Sequence, residues 1–583
     1  MRFSFRRSKM SILVSLVALA SIIGAFAATA VISRNSANTV HAASSANSYS
    51  GVMTSAQLAG SVNLATLPKS GPNAKKHVAA PYHKQPSSGN ITPNNTARPT
   101  VTSSKLATGN VLHAFQGVSA VDNSNATGGY DLEPPDEGLA ASKGYAANFV
   151  NLTGAIYNAN GSIAAGPFPL ATVGGGGFFN EDLANIVSDP RAFYDAKSHL
   201  WIALIWVTLA NNSASHVDIA INAGNPTTPW TEYRFDVTDK NAAGCPCLPD
   251  FTILGTDQYN IYFVPNEFQL FGPGFNGSVI YAVAKSDLIG GVATPKVAKF
   301  SNLSIDGAVA YHLQPAATYG SANAEYFANA IDPSLGVGNG AFGSSIGVWA
   351  LTNRDKIASG VLPTLSSTIV NTQTFIAPVK AQTPVGFNSG VAALGANGTT
   401  AGFLNPDDDA LQNLQYINGH LYTTLDTAVN IPGDTGVRDG IAWFDITPKL
   451  AGNVISSNTA LYRQGYIAQQ GLFLLYPHIE TAASGVSAIA FSFTGPQTYP
   501  SAAYVARSAG AKSFGNVHVV AAGAAPDNGF TGTARYGGLT RWGDYSAGQL
   551  DASGNGIWFA TQYIAGNGTQ FVNWSNYVFE ISA

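Results

Sequence analysis

Arg541-Trp-Gly-Asp-Tyr-Ser-Ala-Gly-Gln-Leu-Asp-Ala-Ser-Gly-Asn-Gly-Ile-Trp558 is the stretch whose reading decides the fold. It sets a polar residue, Asp544, ahead of a short apolar segment, a Gly/Asn/Asp turn at 551–556 and an aromatic strand at Trp558. That is the grammar of an antiparallel hairpin. The arrangement recurs at 12 to 14 residue offsets: Asp136 with Phe149, Asp189 with Trp201, Asp250 with Tyr262, Asp409 with Tyr422 and His478 with Phe491. Turns fall between the partners at 195–199, 257–260, 418–419 and 484–485, and third strands follow at 217–221, 279–283, 441–446, 502–506 and 577–581. A degenerate copy, Gln314 with Tyr326-Phe327 and then 346–351, fills the gap between Asp250 and Asp409.

The unit is therefore a small antiparallel sheet used seven times. Seven units over residues 131–583 average about 65 residues, longer than the ~40–45 of the commonest propeller repeat but compatible with long loops. The expected fold is all-β, a seven-bladed β-propeller of four-stranded blades over 111–583. The last unit shows three strands before the chain ends, so its fourth is expected from 111–118, which would join the two ends of the ring and remove an exposed edge.

Charge divides the chain in two. The first acidic residue is Asp122; eleven of the 29 Lys/Arg precede it, leaving 18 against all 33 Asp/Glu, so the net −4 joins a +11 segment to a −15 one. Arg2, Arg6, Arg7 and Lys9 precede an uncharged stretch from Met10 to Ser33 and then Val40-His41-Ala42. This reads as a signal peptide over 1–42 and a secreted or cell-surface protein, with no stable membrane insertion after cleavage. Residues 43–110, rich in Ser, Thr, Asn and Pro, read as a disordered basic spacer. The acidic downstream part excludes nucleic acid as a partner, and a monomer is expected.

Several segments carry a resemblance. Glu133-Pro-Pro-Asp136-Glu-Gly-Leu-Ala, Ser188-Asp-Pro-Arg-Ala-Phe-Tyr-Asp195, Pro249-Asp250 with Tyr262 and Asn266-Glu267-Phe268, and Arg541-Trp-Gly-Asp-Tyr-Ser-Ala547 resemble secreted bacterial sialidase-like β-propeller proteins. The resemblance covers nearly all of 115–583 and implies a propeller fold and a secreted habit. Arg191, Arg438 and Arg541 stand near unit starts.

In a propeller the first strand of each blade lines the central channel, so Asp136, Asp189, Asp250, Gln314, Asp409, His478 and Asp544 are expected at one mouth. Three roles stay open for these residues. The carboxylates could cap turns through nearby backbone N–H groups, hold Ca²⁺ through Asp136, Asp189, Asp250, Asp409 and Asp544, or act as a glycosidase acid and base, with Asp136, Asp250 and Asp544 the catalytic candidates. Candidate ligand contacts are Arg191, Arg541, Trp542, Tyr545, Asn266 and Glu267, and the expected partner is an extracellular glycan or cell-wall polymer. The competing function is a non-catalytic binding or scaffold protein with a structural cation in the channel. Gly343-Ser-Ser-Ile-Gly347 reads as a turn before a strand rather than a nucleophile elbow. For Cys245-Pro-Cys247 a bridge and two free thiols are both open.

Overall fold

The computed structural model describes residues 46–68, 76–79, 98–142, 144–331 and 342–583. The expected signal peptide over 1–42 lies outside the described residues. Strands dominate what is described, with helix confined to short segments such as Ala120–Thr127, where Ser119 and Asp122 form a reciprocal capping box and Gly128 ends the helix at φ 76°. No described helix is long and apolar enough to cross a membrane.

The hairpin repeat folds into antiparallel meanders laid down in chain order. Gly138–Ser142, Tyr145–Val150, Thr153–Asn158 and Ile163–Pro169 form a four-stranded sheet. Ile186–Asp195, Leu200–Thr208, Ser215–Asn222 and Trp230–Asp236 form the next meander. Cys247–Thr256, Asn260–Gln269, Ile280–Ala284 and Lys296–Phe300 follow, then Gln314–Pro315, Glu325–Ile331, Gly343–Thr352 and Thr364–Phe375. Leu411–Ile417, His420–Val429, Arg438–Thr447 and Ala460–Ile467 come next, and Phe473–Thr481, Ser487–Gly495, Thr498–Arg507 and Val517–Ala521 after them. Each expected turn joins a first strand to a second. The Gly343–Gly347 segment, expected as a turn before a strand, is itself the opening of the strand Gly343–Thr352.

The final sheet orders Ala547–Leu550, Gly556–Tyr563 and Ser575–Ser582 and takes its outer strand from His113–Ser119, with Val578 opposite Phe115 and Phe579 opposite Ala114. The N-terminal strand expected near 111–118 thus closes the last sheet.

Why the sheets stack is legible in the second strands. Leu200–Thr208 is buried along its whole length. Alternation sends Leu200, Ile202, Leu204 and Trp206 into a core shared with the following meander, and Trp201, Ala203, Ile205 and Val207 into a core shared with the preceding one. A strand covered on both faces needs an unbroken apolar run rather than a polar/apolar alternation. Burying each such large side chain contributes about 1.5–3 kcal/mol. A further cluster packs Leu139, Ala141 and Ala146 of the first sheet against Ala547, Trp558, Ala560 and Val578 of the last. The series of sheets therefore returns on itself through a core.

The segment expected to be a disordered spacer is partly strand. Asn47–Tyr49 pairs with Thr364–Phe375, Val52–Ser55 with Lys296–Phe300, and Gln57–Val62 with Trp230–Asp236. Leu106–Thr108 adds in parallel to Val517–Ala521. Its composition is too polar to build a core, but strand addition needs only backbone groups and a ready edge. It therefore borrows its order from the sheets whose edges it covers.

Candidate functional site

The backbone entering the first strands is unusual. Asp136, Asp189, Phe251, His312, Asp407 and Tyr476 have φ between 45° and 61°, the left-handed region that costs a residue bearing a β-carbon about 1–2 kcal/mol. Around Asp189, Phe251 and Tyr476 the strand pairing slips by a bulge. Side chains from other sheets hold the buried amides at these positions. Asn151 Oδ1 accepts the Asp189 N–H at 2.9 Å, Asp189 Oδ2 the Phe251 N–H at 2.8 Å, Asn266 Oδ1 the His312 N–H at 3.1 Å and Asp426 Oδ2 the Tyr476 N–H at 3.0 Å. Part of the repeated polarity is thus clamping between sheets.

Three carboxylates converge beyond this. Asp136, Asp189 and Asp544 each bring an oxygen within 4.8 Å of the other two. Asp189 is held by Trp206 Nε1 at 2.7 Å and Ser188 Oγ at 2.9 Å besides the Phe251 amide. Asp136 accepts from Asn151 Nδ2 at 2.6 Å through Oδ2, while its buried Oδ1 has no hydrogen-bond partner. Asp544, with 14% of its side chain exposed, faces Arg541 Nη2 at 3.2 Å from both oxygens.

Burial, then repulsion from Asp544 and Asp189, pushes Asp136 well above the usual carboxylate range. Burial, then Asp189 and Asp544, does the same to Asp250. Asp544 is pushed up to about 7 by burial, with Arg541 opposing and Asp407 and Asp189 adding to the rise. Burial would lower Arg541, yet Asp544, Asp136, Asp407 and Asp250 together raise it. One guanidinium thus sits among four carboxyl groups.

Below the mouth, a cavity of about 70 Å³ is lined by first-strand residues from every meander, among them Gly138, Arg191, Ile253, Gln314, Gln412, His478 and Gly548. It has room for a few waters but not for a sugar ring. Any carbohydrate would have to be met at the mouth.

The expected site residues divide accordingly. Asp136, Asp189 and Asp544 meet, and Asp250 lies within their electrostatic reach. The strongest charge contacts that Arg541 and Asp544 make with the 407–409 segment are to Asp407 rather than to Asp409, which is itself fully buried. Trp542 is buried and donates to Ser492 Oγ at 2.8 Å. Tyr545 is buried beneath the Arg191 guanidinium. Neither ring offers a face for a sugar to stack on, because both fill space between sheets. Asn266 is a buried clamp, and Glu267 is 1% exposed beside the two cysteines, so neither serves the mouth as a ligand contact. Arg438 is paired with Asp434 at 2.7 Å.

Sequence reading missed Asp407 and the stack of Arg191, Tyr545, Phe251 and His312, in which the Phe251 and His312 rings lie 3.9 Å apart. Burial and the Arg191 charge hold His312 well below the usual histidine range, and hence neutral. Of these positions Asp407, Phe251 and His312 share a left-handed φ, as Asp136, Asp189 and Tyr476 do. No residue-type pattern could reveal it.

No protein-family model and no curated protein matches the chain significantly. Among solved structures, an exo-1,5-α-L-arabinanase from a bovine ruminal metagenomic library is similar at 10% identity, with 57% of this chain and 97% of that one covered and a TM-score of 0.27. A Trypanosoma rangeli sialidase in complex with sialic acid is similar at 9% identity over 76% of this chain and 59% of that one, TM-score 0.30. The phage phi92 endosialidase is similar at 9% identity over 67% and 66%, TM-score 0.30. At such scores nothing about this chain's site follows from them.

Proposed function

We propose that the meanders are the blades of a closed seven-bladed β-propeller, exported by residues 1–42 and working as an extracellular monomer, that engages a glycan or cell-wall polymer at the mouth and hydrolyses its glycosidic bonds. The observation that carries this is the convergence of Asp136, Asp189 and Asp544 beside Arg541, with Asp544 the member open to solvent. At about 7, Asp544 holds a proton part of the time at neutral pH and can donate it to a leaving glycosidic oxygen. Asp250, also partly exposed, supplies the second carboxyl, as base or nucleophile once the Arg541 charge that opposes its burial has drawn it into the ionised form. Asp189 and Asp407 help keep the proton on Asp544, and Arg541 draws in the hydroxyl or acidic groups of the polymer.

A panel of cell-wall polysaccharides and sialosides tests this with wild type, Asp544→Asn and Asp250→Asn. Turnover on one polymer, lost in both variants while circular dichroism stays unchanged, is the expected result. Binding without turnover on any polymer would refute hydrolysis and leave a glycan-binding module; neither binding nor turnover would refute the glycan reading.

One observation favours a second reading. Three carboxylate oxygens within 4.8 Å of one another, with Asp136 Oδ1 buried and unpartnered, are grouped closely enough to share one cation, for which oxygen-preferring Ca²⁺ is the fit. Millimolar calcium should then raise the melting temperature and a chelator lower it. No shift in either direction excludes the ion.

A further inference from the structure

Cys245 and Cys247 are joined as a disulfide. A bridge across one residue closes the smallest of loops and removes little entropy from the unfolded chain. Nor is it needed to hold the strand, because Cys247 already pairs with Gln269, Leu248 with Phe268 and Pro249 with Glu267. Its surroundings suit chemistry better. Cys247 is fully buried at the start of Cys247–Thr256, whereas Cys245 is half-buried in the turn before it. Asn276 Nδ2 donates to both sulfurs at 3.3 Å. Glu267 brings a carboxyl oxygen within 4.8 Å of both sulfurs, is buried, and its Oε1 has no hydrogen-bond partner.

We propose that Cys245–Cys247 is a thiol-exchange site in which a small-molecule thiolate attacks the half-buried Cys245 sulfur and Glu267 protonates the departing Cys247 sulfur. The S–S bond breaks as the new one forms to Cys245. The Cys247 sulfur leaves with the electron pair and takes the Glu267 proton, giving a thiol and a carboxylate, while the Asn276 amide stabilises the developing negative charge. A second thiolate attacks the outer sulfur of the mixed disulfide and releases Cys245. The balance is two small thiols oxidised to their disulfide and one protein bridge reduced to two thiols.

Charges around Glu267 fit the task. Asp239, ion-paired with Lys299 at 3.0 Å, is hydrogen-bonded to it, and the buried Tyr281 hydroxyl lies within electrostatic reach of Glu267, Asp239 and Asp236. Burial, then Asp239, pushes Glu267 up to about 8 against the opposing pull of Lys299, so it keeps its proton at neutral pH.

The test incubates the folded full-length chain with millimolar reduced glutathione across neutral to alkaline pH, quenches with an alkylating agent and follows the mixed disulfide and the dithiol by mass spectrometry. The rate per glutathione thiolate should hold steady up to about pH 8 and fall above it as Glu267 ionises. In Glu267→Gln it should be about tenfold lower and flat with pH, a smaller loss than the ~10²–10⁴-fold of a fully committed general acid because a thiolate leaves readily. Asn276→Ala should slow exchange severalfold while keeping the pH break, and serves if Glu267→Gln fails to fold. A native bridge inert where the urea-unfolded chain reacts, or an Asn276→Ala profile without the break, overturns the proposal, as does a folded Glu267→Gln matching wild type in rate and profile.

Discussion

Asp544→Asn is the substitution from which most can be learned, because the structure fixes the sign of its pH dependence. In the folded protein Asp544 titrates near 7 against an ordinary value of 3.8. A carboxyl whose folded value is raised contributes stability that is fully present below the unfolded value and is lost as pH rises through the folded one. The difference corresponds to about 4 kcal/mol, lost between about pH 4 and about pH 7. Asparagine does not titrate, so the variant sheds that slope. Its Arg541 neighbour keeps Asp136, Asp250 and Asp407 as counter-charges, and Asp136 and Asp250 lose a repulsive partner, which acts in the same direction. For a ring running from His113 to Ser582, the unfolding entropy is about 1 kcal/mol per kelvin. The melting temperature of Asp544→Asn minus that of wild type should therefore rise by about 4 °C from about pH 4 to about pH 8 at constant ionic strength. Calorimetry on both proteins across that range is the assay. A difference that does not change with pH would refute the reasoning, since it would mean that Asp544 ionises as freely in the folded chain as in the unfolded one.

Two further outcomes follow from the seam and the clamps. A β-carbon on Gly117 would lie 2.5 Å from Asn148 Oδ1 and 3.0 Å from Val578, so Gly117→Val should destabilise by about 2–3 kcal/mol, and an unchanged melting temperature would show that 113–119 does not close the last sheet as described. Asp189→Asn keeps a residue that tolerates φ 53° but loses part of the acceptor set for Trp206, Ser188 and Phe251, at about 1–3 kcal/mol. Asp189→Ala loses all of it together with the left-handed tolerance and should be about 1–2 kcal/mol worse again by urea midpoint; equal losses would dismiss the clamp.

Much of the fold was legible because its units are local. Hairpins join neighbours in sequence, and a fully buried second strand such as Leu200–Thr208 declares itself as an unbroken apolar run. The closing strand at 113–119 could be inferred because the last meander is one strand short. The outer strands at 47–62 were invisible for the opposite reason, since their order comes from sheet edges up to some three hundred residues away, as Asn47 against Ser367 shows. At the mouth, Asp136, Asp189 and Asp544 were found through their repeat positions, whereas Trp542 and Tyr545 look like sugar platforms in sequence and are packing between sheets in space.

The sequence by itself determined that this is an all-β chain of repeated hairpins, with acidic residues near the head of most units and every acid placed after a cationic N-terminal segment. Hydrophobic period, turn residues and charge are properties of short windows. Only the tertiary structure decided which of those acids meet, which anchor a neighbouring backbone, that Arg541 feels the charge of Asp407 before that of Asp409, and that Glu267 lies beside a disulfide rather than with the Asp136, Asp189 and Asp544 group. Proximity between residues hundreds of positions apart depends on how each sheet turns its first strand inward. That turn is made by a left-handed backbone, which Asp, Phe, His and Tyr adopt here alike because the amides around them are held from neighbouring sheets.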